Sequence, residues 1–364
     1  MARNKIIETL FLLPMSKVYG LITSVRNSMF NCGLLKQRSF DVPVIVVGNI
    51  AVGGSGKTPH TEFIIDKLKN TYNIGVLSRG YKRKTKGFII ADQSSTPLTI
   101  GDEPFQIYKK FGQDVTVAVC EDRCKGIEKM LEENPDINLV VLDDAFQHRY
   151  VKPSVSIVLT EFNRPIFTDA MLPYGRLRES SRAVYRADMV IVTKCPKSLK
   201  PVEYRIFKNH LALYPYQKLY FSRFSYGNLK PVFPEVTNKV PYLEYLSEQD
   251  RILVVAGIAN PRPFVKYIKS FKPLVKVNVF SDHHNFSKKD ISLITKRFKE
   301  IKATYKFIVT TEKDAVRLAN NSHFPDELKQ YVYYLPINVS FDNESGDKFV
   351  ADLNKLIIQS RKTC

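Results

Sequence analysis

Short, continuously apolar runs alternate with amphipathic stretches along the first two hundred positions of the chain. Six runs rich in valine and isoleucine occupy residues 42–49, 73–78, 115–119, 137–144, 155–161 and 188–194. Strands that are apolar throughout, rather than at every second position, are buried on both faces and are typical of parallel sheets. The pattern therefore predicts an α/β fold, with a mostly parallel sheet flanked by helices and ligands at the carboxyl ends of its strands.

The pattern changes between residues 216 and 245, where aromatic, proline and turn residues replace the regular alternation. Tyr-Gly-Asn at 226–228 favours a hairpin tip, so this segment is predicted to be a β-ribbon linker. It would join a core domain, residues 36–215, to a second, smaller α/β lobe, residues 246–364, in which the alternation resumes. A chain of 364 residues exceeds what one hydrophobic core usually organises, which also favours two lobes.

Residues 1–35 form a separate amphipathic segment. Its longest apolar run, Leu10 to Met15, is too short to span a bilayer, and no cleavable signal pattern precedes it. Beyond Pro14 the apolar residues fall on one helical stripe, with Lys17 and Arg26 on other faces; the stripe contains Val18, Leu21, Ile22, Val25 and Met29. Such a helix either packs its stripe on the core, the default for this pattern, or lies in a membrane interface.

A glycine-rich turn follows the first predicted strand and precedes a helix. Residues 51–58, AVGGSGKT, follow the phosphate-loop pattern G-x-x-x-x-G-K-[ST], with alanine at the first glycine position. Backbone N–H groups of such a loop bind phosphate oxygens, the lysine reaches the β- and γ-phosphates, and the threonine hydroxyl ligates Mg²⁺. The predicted nucleotide site contains Ala51, Val52, Gly53, Gly54, Ser55, Gly56, Lys57 and Thr58.

An acidic pair provides the second part of this site. Asp143 and Asp144 directly follow the apolar residues 139–142, so they lie at the end of a buried strand. A phosphate loop requires such a carboxylate to hold its metal, and we assign both aspartates to Mg²⁺ together with Thr58. Guanine recognition would need an N-K-x-D segment. The nearest match, residues 193–196, lacks the aspartate, so ATP is the predicted nucleotide.

Charge widens the range of partners. Lys and Arg total 55 against 36 Asp and Glu, a net charge of +19, which favours nucleic acid, anionic lipid or phosphorylated substrates. No basic arm, RNA-binding aromatic motif or tryptophan supports nucleic acid. The five cysteines lack metal-site spacing and indicate free thiols in a reducing compartment. These properties also allow a nucleic-acid-dependent or accessory P-loop ATPase, which we keep as an alternative function.

Taken together, the motifs resemble the tetraacyldisaccharide 4′-kinase family. The matching segments run from about residue 42 to 318: VGNIAVGGSGKTP (47–59), SRGYKRK (78–84), GDEP (101–104), EDR (121–123), LDDAFQHR (142–149), LPYGRLRE (172–179), DHHNF (282–286) and TEKDAVRL (311–318). The chain departs from the family at Ala145, where glycine is usual.

The resemblance implies a reaction and a location. The γ-phosphoryl group of ATP would move to the 4′-hydroxyl of a lipid-linked disaccharide monophosphate, the tetraacyldisaccharide 1-phosphate of lipid A biosynthesis. The protein would be peripheral, on the cytoplasmic face of the bacterial inner membrane. Its partners would be the lipid substrate and an anionic membrane surface, with neither nucleic acid nor a stable protein partner. Membrane association also favours the interfacial interpretation of residues 1–35.

The resemblance also implies roles for residues outside the phosphate loop. Asp102, which pattern alone would make a helix cap, becomes the catalytic base, with His283 of the second lobe orienting it or sharing its proton. Such a pairing places the active site in the cleft between the lobes. Glu103 is assigned to the metal.

Four further residues complete the predicted site. Arg123 and Arg178 are predicted to neutralise the charge that phosphoryl transfer spreads over the equatorial oxygens. Gln147 and His148, which follow the metal acids closely, are predicted substrate contacts. The sequence assigns no role to Lys313 and Asp314.

Overall fold

Two separate β-sheets organise the chain. A computed structural model describes residues 8–237, 239–271, 273–282, 284–342 and 345–361. The strands in chain order are β1 Val44–Asn49, β2 Ile74–Ser78, β3 Ile89–Ile90, β4 Thr116–Val119, β5 Leu139–Asp143, β6 Val155–Glu161, β7 Met189–Thr193, β8 Lys218–Tyr226, β9 Lys230–Pro231, β10 Arg251–Ala256, β11 Leu274–Val279, β12 Lys306–Thr311, β13 Val332–Leu335 and β14 Ile337–Phe341.

Helices cover both sheets. They are α1 Leu13–Asn31, α2 Lys57–Leu68, α3 Pro97–Ile100, α4 Asp102–Phe111, α5 Arg123–Glu133, α6 Pro201–Leu211, α7 Arg262–Lys269, α8 Lys288–Lys299, α9 Glu312–Ala319, α10 Asp326–Lys329 and α11 Ser345–Arg361. A π-helical turn, Glu8–Leu12, precedes α1, and short 3₁₀ turns occupy Ile166–Thr168, Ser181–Arg186 and Leu243–Tyr245.

The first sheet confirms the predicted fold class. Its nine strands lie in the order β14-β8-β7-β6-β1-β5-β2-β4-β3, and only β3 and β14 pair antiparallel to their neighbours. The six apolar runs form β1, β2, β4, β5, β6 and β7, with one buried apolar cluster on each face of the sheet. Because helices cover both faces, these strands tolerate apolar residues at every position.

The predicted ribbon linker is not a hairpin. Strand β8 pairs in parallel with β7 in the first sheet, whereas β9, four residues after β8 ends, pairs with β13 in the second sheet. The two strands flanking residues 226–228 therefore belong to different sheets.

The carboxyl-terminal part of the chain returns to the first lobe. Strand β14 pairs antiparallel with β8, and helix α11 buries Phe349, Leu353 and Ile357 against the first sheet. The stretch 246–364 is thus divided between the two lobes, unlike the predicted boundary. The remaining strands of this stretch belong to the second sheet, which has the order β11-β10-β12-β13-β9 and is parallel except at β9.

Helix α1 packs on the protein through its polar face. Ser16 donates a hydrogen bond to the carbonyl of Met171 (2.8 Å), and the Tyr19 hydroxyl donates to that of Arg178 (3.1 Å). The apolar stripe points away from the core: Val18, Leu21 and Ile22 are 59%, 65% and 62% exposed. The pattern alone favoured a stripe packed on the core, and this expectation is wrong: the stripe faces away from it. No described helix is both long and apolar enough to cross a bilayer.

Candidate active site

The phosphate loop joins β1 to α2, and two of its glycines have backbone conformations that side chains rarely adopt. Gly53 has φ +115° and Gly56 has φ +90°. At Gly56 a Cβ atom would also lie 2.3 Å from Cζ of Phe224, so both conformation and space require glycine there. This left-handed residue turns the chain directly into the first turn of α2, whose N–H groups then point into the loop.

Neighbouring strands hold the loop in this shape. Asn49, at the end of β1, donates from Nδ2 to the hydroxyl of buried Ser55 (2.8 Å). The Thr193 hydroxyl, at the end of β7, donates to the carbonyl of the same serine (2.9 Å). Since Ser55 is tied to two strand ends, the loop is preorganised by the sheet.

The backbone N–H groups of the loop differ in whether the protein already uses them in hydrogen bonds. Ala51 pairs with Leu177, and the N–H of Val52 donates to the carbonyl of Arg176 (2.8 Å), so these two residues form the base of the loop. Ser55 N–H donates to the carbonyl of Gly53 (3.0 Å). Gly53 and Gly54 are exposed at the crest. The N–H groups suited to an anion are therefore those of the crest and of the start of α2, from Gly56 to Thr58.

Lys57 lies between the loop and the acidic pair. Its Nζ is 3.4 Å from Oδ1 of Asn49 and 3.5 Å from Oδ2 of Asp144, and its side chain is 12% exposed. Asp144 itself has φ +50°, a conformation uncommon for a residue with a side chain. The turn after β5 thus aims this carboxylate at the lysine.

Asp143 is fully buried at the end of β5 and accepts a hydrogen bond from the Thr61 hydroxyl (2.9 Å). Burial, with further contributions from the nearby charges of Glu103 and Asp144, raises the pKa of Asp143 to about 7. Asp143 thus lies where the charges of two further carboxylates, Glu103 and Asp144, also act on it. This arrangement fits a divalent cation, whose charge would favour the ionised form of each acid.

Arg178 and Gln147 border the acidic pair. Arg178 Nη1 lies 3.5 Å from Oδ1 of Asp144 and 3.4 Å from Oε1 of Gln147, and the arginine side chain is 31% exposed. Gln147 donates from Nε2 to the carbonyl of Asn49 (2.7 Å). The structure therefore brings both predicted residues to the phosphate loop.

Arg123 and His148 lie deeper. Arg123 is 3% exposed and donates to the carbonyls of Cys120 and Glu121, while burial and the charge of Arg79 lower its pKa to about 10. Its charge still acts on the acidic pair. Burial, followed by the charge of Arg123, lowers the pKa of His148 to about 4. At neutral pH Arg123 is therefore a buried cation and His148 is neutral.

Asp102 and Glu103 begin helix α4, after Gly101, and face the second lobe. Asp102 Oδ2 accepts from Nη2 of Arg317 (2.6 Å), and Glu103 lies 3.4 Å from Nζ of Lys313. Sequence reasoning missed Arg317, although it lies four residues after Lys313 in the TEKDAVRL segment (311–318). Its partner lies 215 positions away, and no local pattern signals such a contact. The predicted partner of Asp102, His283, lies outside the described residues.

His60, in the first turn of α2, supports the phosphate loop from below. Its Nδ1 donates to the Gly56 carbonyl (2.7 Å), which leaves Nε2 to accept from the hydroxyl of Ser222 (2.8 Å). The ring also packs near Phe224 and Phe341. Burial lowers the pKa of His60 to about 4, so the folded state holds this histidine neutral.

We expect His60 to make the protein sensitive to acid. Since the unfolded chain binds the proton more tightly, this contribution is present above pH 6.5 and is lost as pH falls towards 4, by about 3 kcal/mol in total. Urea denaturation at several pH values should show that His60→Gln reduces this loss. The control His323→Gln alters an exposed histidine and should follow the wild type. Parallel profiles for His60→Gln and wild type would contradict the expectation.

Comparison with known proteins agrees with the motifs. A model of the family described as tetraacyldisaccharide-1-P 4′-kinase matches residues 8–357. The tetraacyldisaccharide 4′-kinase of Bacteroides thetaiotaomicron is 49% identical over 347 residues, which cover 93% of this chain and 90% of that protein. The protein of the same name from Porphyromonas gingivalis strain ATCC 33277 is 45% identical over 360 residues, covering 97% of this chain and 98% of that protein.

A solved structure extends the agreement to three dimensions. The crystal structure of the "apo" form of LpxK from Aquifex aeolicus in complex with ATP superposes with a TM-score of 0.72 at 27% sequence identity. The match covers 95% of this chain and 98% of that one. This protein is therefore a member of the tetraacyldisaccharide 4′-kinase family.

Proposed function

We propose that this protein transfers the γ-phosphoryl group of ATP to the 4′-hydroxyl of a tetraacyldisaccharide 1-phosphate, with the residues described above as its catalytic site. The observation that carries the assignment of the site is the charge network at the carboxyl ends of β1 and β5. In this network Lys57 and Arg178 both approach Asp144, beside the buried Asp143. Cations and carboxylates so arranged suit a phosphoryl group and its metal.

The phosphate loop binds the triphosphate of ATP. N–H groups from the crest and from the start of α2 receive phosphate oxygens, and the positive end of the α2 dipole favours their charge. Lys57 moves from its contact with Asp144 to the β- and γ-phosphates. Thr58, Asp143, Asp144 and Glu103 would hold Mg²⁺, which when bound would supply positive charge to the phosphates.

The remaining residues act on the acceptor and on the transferring group. Asp102 accepts the proton of the sugar hydroxyl as it attacks, because an alcohol is a weak nucleophile at neutral pH. Arg178, partly exposed beside Asp144, neutralises charge on the phosphoryl oxygens. Gln147 lies beside it and contacts the acceptor. Arg123 contributes through its charge from a buried position rather than by direct contact.

Helix α1 places the site at a lipid surface. Its exposed apolar stripe would enter the interface of an anionic bilayer, with Lys17 near the lipid phosphates. Its polar face contacts Met171 and Arg178, in the segment that pairs with the base of the phosphate loop. Lipid binding would therefore set the active site beside the membrane that holds its acceptor, on the cytoplasmic face where ATP is available.

We expect charge in the apolar stripe to weaken this association. Replacing both Leu21 and Ile22 with glutamate should lower binding to phosphatidylglycerol vesicles at least about tenfold, since two large apolar side chains no longer enter the interface. Because both positions are exposed, the thermal midpoint should change little.

The matched control carries the same change elsewhere. Val202 and Ile206 are exposed apolar residues of α6, and their replacement with glutamate should leave vesicle binding unchanged. Co-sedimentation with vesicles measures both variants. If the Leu21 and Ile22 variant still sediments like the wild type, α1 is not the membrane-binding element.

The proposed reaction is tested with γ-³²P-labelled ATP, Mg²⁺ and a tetraacyldisaccharide 1-phosphate in detergent micelles. Label should appear on the glycolipid, and little free phosphate should form without the acceptor. The alternative ATPase would release free phosphate in the absence of lipid, or after addition of duplex DNA or RNA. Absence of labelled glycolipid under all conditions would overturn the proposed function.

A further inference from the structure

Oppositely charged side chains connect helix α9 of the second lobe to helix α4 of the first. The crossing pairs are Arg317 Nη2 to Asp102 Oδ2 at 2.6 Å, Lys313 Nζ to Glu103 Oε1 at 3.4 Å, and Glu312 Oε1 to Lys110 Nζ at 3.6 Å. Of these, the Arg317 pair is the shortest, and it joins the second lobe to the proposed catalytic base.

Arg317 is held by its own lobe before it reaches Asp102. Its Nη1 lies 2.9 Å from Oδ1 of Asp314, a fully buried carboxylate. Asp314 Oδ2 in turn accepts from the N–H of Gly257 (2.8 Å) and from the hydroxyl of Thr311 (2.7 Å). Since the ends of β10 and β12 supply those donors, the second sheet fixes the direction of the guanidinium.

Arg317 meets the first lobe through two donors. Nη2 lies 2.6 Å and Nε 3.1 Å from the same oxygen, Oδ2 of Asp102. The arginine side chain is only 7% exposed, so water screens this contact little. The guanidinium is planar, and its third nitrogen is already bound to Asp314. It therefore restrains the direction of the Asp102 carboxylate as well as its distance. A lysine at this position would supply the charge without the fork.

We propose that Arg317 is a positioning residue, through which the second lobe orients the Asp102 carboxylate towards the acceptor hydroxyl. The inference rests on the proposed function, in which Asp102 is the base. It adds that the catalytic carboxylate is set in place only while the lobes are in contact. The geometry of proton transfer then depends on a residue that contacts neither ATP nor acceptor.

Steady-state kinetics of Arg317 variants test the first consequence. Arg317→Ala should lower kcat roughly 10²-fold, as expected when a catalytic group is misplaced by about 1 Å. Arg317→Lys, which keeps the charge, should lose about tenfold. KM for ATP should stay within about twofold of wild type in both, because the phosphate loop is unchanged. Circular dichroism confirms folding, and if the alanine variant does not fold, Arg317→Lys carries the test.

A double-mutant cycle separates positioning from general support of the fold. If Arg317 acts through Asp102, Arg317→Lys should have almost no further effect on kcat in the Asp102→Asn background. Equal fold-losses in both backgrounds would overturn the inference, since Arg317 would then act independently of the base.

The control variant neutralises another crossing ion pair of the same helix. Glu312→Gln removes the carboxylate charge opposite Lys110 but leaves Asp102 and Arg317 untouched, so kcat should remain close to wild type. A loss as large as that of Arg317→Ala would indicate general lobe docking and overturn positioning. The proposed function fails separately: wild type would then not label the glycolipid, whereas failure of this inference alone leaves labelling by wild type intact.

Discussion

Lys57→Ala should reduce phosphoryl transfer roughly 10³-fold while leaving the fold intact. Lys57 is the residue of the phosphate loop whose charge can follow the γ-phosphoryl group into the transition state. In the structure its ammonium already lies within 3.5 Å of Asp144. Alanine removes that charge from a site where water is largely excluded, so no solvent dipole replaces it at once. Initial rates of glycolipid labelling at saturating ATP measure the loss.

A second lysine of the same helix provides the control. Lys67 is exposed and lies in the last turn of α2, at the opposite end of the helix from the loop, so Lys67→Ala should retain full activity. Thermal unfolding should place both variants near the wild type. Near-normal labelling by Lys57→Ala would exclude the phosphate loop from the mechanism.

The elements predicted best were those whose signal is local. The six strands of the first sheet are apolar throughout because each is covered on both faces, and this property is visible in any short window of the sequence. The phosphate loop and Asp143–Asp144 are also local, since a strand, a turn and a helix follow one another directly. The geometry places Lys57 beside Asp144.

Long-range pairing explains what the sequence did not reveal. Strand β14 completes the first sheet beside β8, although more than a hundred residues separate them and the second lobe lies between. The turn at 226–228 has the composition of a hairpin, but tertiary pairing assigns its two flanking strands to different sheets. Local turn chemistry cannot distinguish these outcomes.

The same limit applies to the site. Hydrophobic spacing identified the stripe of α1, but not that its polar face would be the one to dock on Met171 and Arg178. Asp102 was singled out by resemblance, whereas its contact with Arg317 required the two lobes to be placed together. Thr61 holds Asp143, and Asn49 holds the phosphate loop through Ser55. The sequence marks these two residues only by their closeness to the phosphate-loop motif: Thr61 lies within one helical turn of its end, and Asn49 ends the strand before it.

Asp102→Asn should separate turnover from nucleotide binding. If Asp102 takes the proton of the acceptor hydroxyl, its amide counterpart cannot, and kcat should fall by about 10²- to 10⁴-fold. The affinity for ATP should change far less, because Asp102 does not belong to the phosphate loop. Asparagine tests this better than alanine, because its side-chain carbonyl oxygen can still accept a hydrogen bond from Arg317. The buried arginine therefore keeps a partner.

Two comparisons make this result decisive. Asp114→Asn alters a half-exposed carboxylate just beyond the end of α4, and should leave both kcat and ATP affinity unchanged. For Asp102→Asn, single-turnover labelling measures the chemical step, and binding of a non-hydrolysable ATP analogue measures the nucleotide site. A parallel loss in both measurements would mean that the carboxylate supports binding or structure, because a base acts in the transition state and contributes little to the affinity of the ground state.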